Sequence, residues 1–331
     1  MCIRDRANSK VTDKPVGTGP YQIDKYQRSQ KIELSKFKDY WQGTPQLNKI
    51  NVTYHEDGNT RVDNLLSSKS DLTTDVPIDR INDVKQSKKA DIQSTSGFRT
   101  HLLLYNHESN KMNKNVREAL DMIINRKEIA QNVSKNYAKP AAGPFNHRLK
   151  SLEKEQVQPQ NIDKAKKLLA KECYTQSNPL KLKMSTYNGR PELPKIGQVI
   201  QSEAKKANID IQLHNVDDID GYLKDTKAWD ISMYSYLSIP RGDTGYFFNT
   251  AYLSDGALNK GHYNNKDVTQ LIKKLNTTFG DKQRATVTNE ILDQSKQDIP
   301  NSYITYNHQI DGVSNKAVSY THLTLPTSDL V

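Results

Sequence analysis

The sequence predicts an α/β protein built from two lobes, because of its length and one ordered run of elements. At 331 residues the chain is long enough for about two domains that each bury a core of their own. Between residues 181 and 236 three apolar strands alternate with two helical patterns. Such a βαβαβ order favours neighbouring parallel strands with helices packed on the faces of the sheet.

The first part of the chain is typical of short strands followed by a helix. Residues 17–20 (GTGP) predict a turn, and Pro20 argues against a phosphate-binding loop because it removes an N–H donor. The spacing of Val62, Leu65 and Leu66 predicts a helix over 59–68 that Asn59 can cap. Alternation of apolar and polar residues predicts strands at 21–26, 31–34 and 50–54.

The middle and last parts continue the same alternation of elements. One apolar stripe predicts a helix over 116–133, on which Arg117 and Arg126 are surface or structural residues. The remaining predicted strands are 102–106, 182–187, 209–213, 229–236 and 302–306, and the remaining helices are 162–169, 193–207, 218–224, 268–275 and 287–299.

Composition excludes several classes of protein. With 34% hydrophobic and 26% charged residues the chain is globular and polar-surfaced, and no apolar run approaches the ~20 residues of a membrane helix. The formal charge of +10 raises a nucleic-acid-binding alternative, but the lysines are scattered along helices beside acidic residues, so no nucleic acid is expected. Cys2 and Cys173 are too few for a disulfide framework.

The two ends of the chain do not resemble the rest. Residues 1–6 (MCIRDR) lack the apolar core of a signal peptide and resemble a translated adaptor remnant, as does the stretch 318–331. We therefore expect 1–9 and 318–331 to be non-native or disordered tails. The true amino terminus, with any export signal and membrane anchor, is expected to be missing.

Residues 228–252 are the predicted working surface. A predicted strand there leads into a loop in which Pro240 and Gly242 interrupt regular structure. In this stretch aromatic residues flank Arg241 and Asp243. Loops at strand ends commonly carry binding groups, and this mixture suits a small ligand that is part apolar and part charged. The alternative is a surface loop whose rings pack on the core.

Motifs spread along the chain resemble those of one family of binding proteins. The motifs are GTGPY at 17–21, KDYW at 38–41, LLLYN at 102–106, NVREAL at 115–120 and INRKEI at 124–129. As a set they are similar to motifs of the peptide/nickel solute-binding proteins of ABC importers. The resemblance covers most of residues 14–316 and implies a two-lobed, class II periplasmic-binding-protein-like fold whose first lobe is truncated. It implies a partial lobe I over 10–98, lobe II over 99–304 and a return strand over 305–317.

The same resemblance implies a protein that binds a small ligand and does not catalyse a reaction. We expect an extracytoplasmic protein, a cell-surface lipoprotein or periplasmic, that acts as a monomer and delivers a small nickel chelate, for example with histidine, to a membrane permease. An oligopeptide or dipeptide ligand is the alternative within the family. An enzyme is not expected, because no Gly-x-Ser-x-Gly or His-Glu-x-x-His motif occurs, and no cofactor is predicted.

Several side chains are candidates for ligand contact. Arg241 could grip carboxylates at two points, and Asp243 matches the acidic residue with which peptide binders of the family hold an amino group. His101 and His107 are about 20 Å apart along a strand, so a site built from several histidines is not expected. One histidine could still complete a chelated metal, with His262 as a candidate. The other candidates are Tyr234, Tyr236, Tyr246, Arg99 and His101.

Overall fold

The structure is a computed structural model that describes residues 17–146, 149, 152, 156–240 and 242–317. The predicted tails at 1–9 and 318–331 and the candidate Arg241 therefore lie outside the described residues. Within the described ranges the chain forms a sheet of three strands and a sheet of seven strands, with helices on both faces of the larger one.

The small sheet is an antiparallel meander of β1 (Tyr21–Gln27), β2 (Lys31–Lys36) and β3 (Lys49–Thr53). The alternation seen in the sequence predicted all three strands. Apolar side chains of this sheet remain exposed, including Ile23 at 38%, Tyr26 at 44% and Val52 at 48%. An antiparallel sheet can expose one face to solvent. Because apolar side chains of this small sheet are themselves exposed, the sheet does not bury a core of its own.

A small core follows, built by α1 (Gly58–Leu66), β4 (Leu72–Thr73), a 3-10 turn (Ile78–Arg80) and α2 (Ile81–Gln86). The carboxylate of Asp57 accepts the Thr60 amide at 2.7 Å and caps α1, so the predicted cap at Asn59 was two residues too late. The buried residues of this core are Val62, Leu65, Val76, Ile81, Val84, Ala90 and Ile310.

The large sheet contains the strands β5 (Ala90–Tyr105), β6 (Ala138–Pro140), β7 (Leu180–Tyr187), β8 (Ile209–Val216), β9 (Ile231–Leu237) and β10 (Asn301–Ser314). Its order is β4-β10-β5-β9-β7-β8, with β6 also paired to β10. Strand β7 runs parallel to β8 and to β9, as the βαβαβ order predicted, whereas β9 runs antiparallel to β5. The sheet is therefore mixed.

Two long strands connect the small core to the large sheet. β5 and β10 stay paired from Ala90 opposite Ser314 to Leu104 opposite Asn301. Ala90 and Ile310 belong to the small core, whereas Leu103 and Ile304 belong to the core of the large sheet. This strand pair is thus the main physical link between the two cores.

Helices cover both faces of the large sheet. On one face lie α3 (Lys114–Ile123), α5 (Ile162–Lys171) and α6 (Glu192–Lys206). On the other face lie α7 (Ile219–Tyr222), α8 (Thr244–Ala251), α9 (Lys266–Asn276) and α10 (Asp281–Lys296). Apolar stripes along the longer helices are what these faces bury.

The single helix predicted over 116–133 is wrong in one respect, because it is broken after α3. Ile124 takes an extended conformation, and the Asn125 side chain accepts the Glu128 amide at 3.2 Å to start α4 (Arg126–Glu128), which runs into a π-helical turn (Ile129–Val133). Arg126 is only 4% exposed and donates to the Tyr303 carbonyl at 2.6 Å, which confirms a structural role for it.

Candidate ligand-binding site

Strand register divides the candidate residues between the two faces of the large sheet. Leu102 of β5 lies opposite Tyr234 of β9, and Thr100 lies opposite Tyr236. His101 lies opposite Ser235, and Arg99 lies opposite Leu237. Because neighbouring strand residues point to opposite faces, Tyr234 and Tyr236 project on one side of the sheet and Arg99 and His101 on the other.

Tyr234 and Tyr236 lie in the aromatic core under α8. The Tyr234 hydroxyl donates to Asp220 at 2.7 Å, and the Tyr236 hydroxyl donates to the Leu258 carbonyl. Their rings meet edge to face with centroids 5.2 Å apart, and Tyr236 packs in the same way against Phe247. Burial raises the pKa of both phenols, so both stay protonated at neutral pH. Packing of these rings on the core, the alternative from the sequence, accounts for their contacts.

Asp243 and Tyr246 belong to the start of α8. Asp243 caps the helix by accepting the Gly245 amide at 3.2 Å, and it forms an ion pair with Arg284 at 2.6 Å. Tyr246 is half-buried on the same helix. The Asp243 carboxylate thus has two partners within the chain.

His262 stands apart from the other candidates. It adopts a left-handed backbone conformation with φ 59°, its side chain is 43% exposed, and its Nδ1 lies 3.6 Å from Glu108. Within the described ranges no group of three His, Cys, Asp or Glu side chains is placed to hold a metal ion.

On the opposite face, four side chains form what we call the Arg–His cluster: Arg99, His101, Arg190 and Glu192. His101 is fully buried, and its Nε2 lies 2.9 Å from a carboxylate oxygen of Glu192 in the first turn of α6. Burial lowers the pKa of His101. Burial is the largest single influence on Glu192 and works against its charge, but the hydrogen bond from His101, the nearby positive charges and a backbone hydrogen bond together lower the pKa of Glu192 to about 2. Glu192 is therefore ionised at neutral pH, and its carboxylate accepts the hydrogen bond from Nε2 of His101.

Arg99 is the cation of the cluster that has no ion-pair partner among the described residues. Its guanidinium is half-buried and donates to the neutral Ser235 hydroxyl at 3.3 Å. Burial and then the charge of Arg190 lower the pKa of Arg99. Arg190 has a distant ion pair with Asp75 at 3.5 Å, and among the described residues no carboxylate lies within 4.0 Å of Arg99. A partly desolvated guanidinium of this kind favours an anionic ligand.

Two buried polar atoms of this corner also lack a partner among the described residues. They are Nδ1 of His101 and Nδ2 of Asn307, and Asn307 lies directly opposite Arg99 on β10. An unsatisfied buried polar group costs about 1–3 kcal/mol. A bound polar molecule or water would relieve that cost, which makes this corner the best candidate site on the chain.

A cavity of about 360 Å³ lies elsewhere, at the amino-terminal end of β10 beside α3 and α10. Arg126 lines it, but the guanidinium already pairs with Asp121 and the Tyr303 carbonyl. The cavity therefore offers weaker recognition chemistry than the Arg–His cluster.

Sequence reasoning named Arg99 and His101 but missed Arg190, Glu192 and Asp75. A usable signal was present, because residues 187–192 leave the carboxyl end of β7 and open α6. The rule that ligands bind beyond the carboxyl ends of parallel strands, which pointed to the loop after β9, applies equally to the loop after β7.

Residues 3–259 match the family model described as bacterial extracellular solute-binding proteins, family 5 Middle. The chain belongs to this family, which confirms the predicted membership and the two-lobed α/β class. In the described part of the chain no helix combines the length and the apolar character needed to cross a membrane.

The chain is similar to nickel- and peptide-binding members of the family. It is 56% identical over 321 residues to the nickel-binding protein NikA of Staphylococcus aureus, a match that covers 97% of this chain and 65% of NikA. It is 26% identical to the dipeptide-binding protein DppE of Bacillus subtilis, covering 96% of this chain and 62% of DppE. The chain thus spans slightly less than two-thirds of the length of these relatives.

A solved structure of NikA from Staphylococcus aureus in complex with Ni(L-His)2 superposes on this chain with a TM-score of 0.83 and 55% sequence identity. That superposition covers 96% of this chain and 68% of the other.

Proposed function

We propose that this chain is part of the solute-binding component of an ABC importer, and that its ligand is nickel held in a small anionic chelate such as a histidine complex. The observation that carries the proposal is the half-buried guanidinium of Arg99, which has no carboxylate within 4.0 Å among the described residues. A chelate whose carboxylates face outward would supply an ion-pair partner for Arg99.

The absence of a three-ligand metal group in the described ranges supports a chelate over bare Ni²⁺. The similarity to NikA, whose solved complex contains Ni(L-His)2, supports histidine as the first chelator to test.

The proposed role is capture followed by delivery, without a chemical step. Strands β5 and β10 would act as the hinge on which two lobes close over the ligand, and the closed form would be presented to the permease. Binding would occur outside the cytoplasm, on a cell-surface lipoprotein or a periplasmic protein that acts as a monomer.

A short peptide is the second candidate ligand. Asp75 lies 3.5 Å from Arg190, and with Glu192 the corner offers two carboxylates and two guanidinium groups in the same region. Opposite charges of this kind would suit the amino and carboxyl ends of a zwitterion.

Calorimetry on the 331-residue chain tests the proposal. Ni²⁺ alone, L-histidine alone, Ni²⁺ with two equivalents of L-histidine, and a mixture of dipeptides are titrated in turn. Only the nickel–histidine mixture should bind tightly, and Arg99→Ala should weaken that binding at least tenfold, by roughly the 1.5–3 kcal/mol of a charge-assisted hydrogen bond.

Arg28→Gln is the matched control, because Arg28 is an exposed arginine in the β1–β2 turn. It should leave the affinity unchanged. Equal affinity for Ni²⁺ with and without histidine would refute the chelate, and tight binding of dipeptides alone would favour the second candidate.

A further inference from the structure

An acidic loop of the small core faces the amino end of α6 across the boundary between the two cores. Lys195 Nζ lies 2.5 Å from Asp79, and Arg190 Nη1 lies 3.5 Å from Asp75. Lys135, after the π-helical turn, lies 3.6 Å from the other oxygen of Asp79. The partners are more than 50 residues apart in sequence, so only the tertiary fold brings these charges together.

The acidic side of this contact is held in place by Arg61. Its guanidinium donates to the carbonyls of Thr74 at 3.2 Å and Asp75 at 2.9 Å, and also to those of His55 and Glu56 at 2.8 Å. Asp75 has a positive φ of 52°, a strained conformation that persists only where the surroundings impose it. The loop therefore presents its carboxylates from a fixed backbone.

The basic side is held as firmly. The buried pair of His101 and Glu192 ties the first turn of α6 to β5. Arg190 precedes that turn and Lys195 follows it, so both cations project from an anchored helix end. Rigid partners lose little side-chain freedom on pairing, which is the condition under which an exposed ion pair contributes most.

Among the described residues, the strands β5 and β10 join the two cores, and beside these strands Tyr137 packs against the small core. The Asp79 pair adds a polar contact where the small core meets α6. Breaking it would leave the strand pair intact as a hinge, since the β5–β10 hydrogen bonds do not depend on these side chains.

We propose that Asp75, Asp79, Arg190 and Lys195 form an ionic latch that holds the small core closed against α6 and sets the balance between closed and open forms. Because Arg190 also belongs to the Arg–His cluster, closure and ligand binding share one side chain. That last coupling rests on the proposed function, whereas the latch itself does not.

Electrostatics supports the latch and limits its strength. The hydrogen bond from Lys195 is the main cause that lowers the pKa of Asp79, so this carboxylate is ionised at neutral pH. The side chains of Asp79 and Lys195 are 57% and 50% exposed, so each pair changes an equilibrium by only about 1.4- to 5-fold. Reversing one charge should therefore shift the open-to-closed ratio about three- to tenfold.

The test is a distance measurement on the ligand-free chain. Both cysteines are replaced by serine, and spin labels are attached through Lys69→Cys in the small core and Lys205→Cys at the far end of α6, both exposed positions. Double electron–electron resonance spectroscopy then measures the distribution of distances between the two spin labels. Lys195→Glu should shift this distribution towards longer distances, and so should raising the salt from 0.1 to 1 M, which shortens the screening length from about 10 to about 3 Å.

Charge exchange separates a latch from general destabilisation. The pair Asp79→Lys with Lys195→Asp should restore at least half of the closed population, with Lys135 opposing full recovery. Lys274→Glu is the matched control, because Lys274 forms a comparable exposed ion pair with Glu290 at 2.8 Å on α9 and α10. It should leave the distances unchanged.

The proposal is overturned if Lys195→Glu and Lys274→Glu give the same distribution as the parent, or if charge exchange restores nothing. If Lys195→Glu does not fold, Lys195→Gln and the salt series decide the matter by the same criteria. No ligand is present, so a failed latch and a failed ligand assignment are separate results.

Discussion

Removing the carboxylate of Glu192 should destabilise the chain more than removing any exposed glutamate. In Glu192→Ala the fully buried Nε2–H of His101 loses its acceptor, while Nδ1 already lacks a partner among the described residues. Leaving a buried donor unpaired costs about 1–3 kcal/mol. The first turn of α6 also loses a negative charge near its positive end, worth about 0.3–1 kcal/mol. The expected loss in free energy of unfolding is about 1.5–4 kcal/mol.

Urea unfolding at pH 7.5, followed by far-ultraviolet circular dichroism, measures this loss. Glu290→Ala is the matched control, since Glu290 pairs with Lys274 at 2.8 Å on exposed surface and should cost less than about 1 kcal/mol. In a His101→Phe background the effect of Glu192→Ala should shrink, because the buried donor is gone. If Glu192→Ala costs no more than Glu290→Ala, the buried pair does not anchor α6.

Three further outcomes follow from the described contacts. Burial lowers the pKa of His107 to about 4, whereas a histidine of the unfolded chain has a pKa near 6.5, so between these pH values the unfolded chain binds a proton that the folded chain does not. The contribution of His107 to the free energy of unfolding should be fully present above pH 6.5 and should fall by up to about 3 kcal/mol as the pH drops to 4. The urea midpoint at each pH measures this fall. A flat profile would contradict this. Phe247→Ala should cost about 3–5 kcal/mol in the same assay, since the ring is 1% exposed amid other aromatic rings. Asp243→Ala should cost about 0.5–2 kcal/mol through the lost cap of α8 yet change nickel–histidine affinity less than twofold; a large loss of affinity would instead favour its predicted ligand role.

The local pattern of the sequence was sufficient for most elements. Strands alternate with a period of two and helices with a period of about 3.6, so β1, β7 and α6 could be recognised from neighbouring residues alone. The break between α3 and α4 escaped the same reasoning because the apolar stripe continues across it. Only the extended conformation of Ile124 and the cap by Asn125 reveal it.

Register explains why the candidate site was only partly predicted. The tyrosines of β9 and the polar residues of β5 are close in the fold, but a one-residue offset on a strand places a side chain on the opposite face. No property of Tyr234 or Tyr236 in the sequence indicates that α8 and α9 cover their face of the sheet.

The amino-acid sequence by itself determined the α/β class and the family, because both depend on short-range periodicity and on motifs of a few residues. Only the tertiary structure decided that Arg99, His101, Arg190 and Glu192 share one corner and that Asp75 and Asp79 face it. Those contacts join segments up to 116 residues apart. They depend on β7 lying between β8 and β9, and the energy that sets strand order is spread over the whole core rather than encoded in any local pattern.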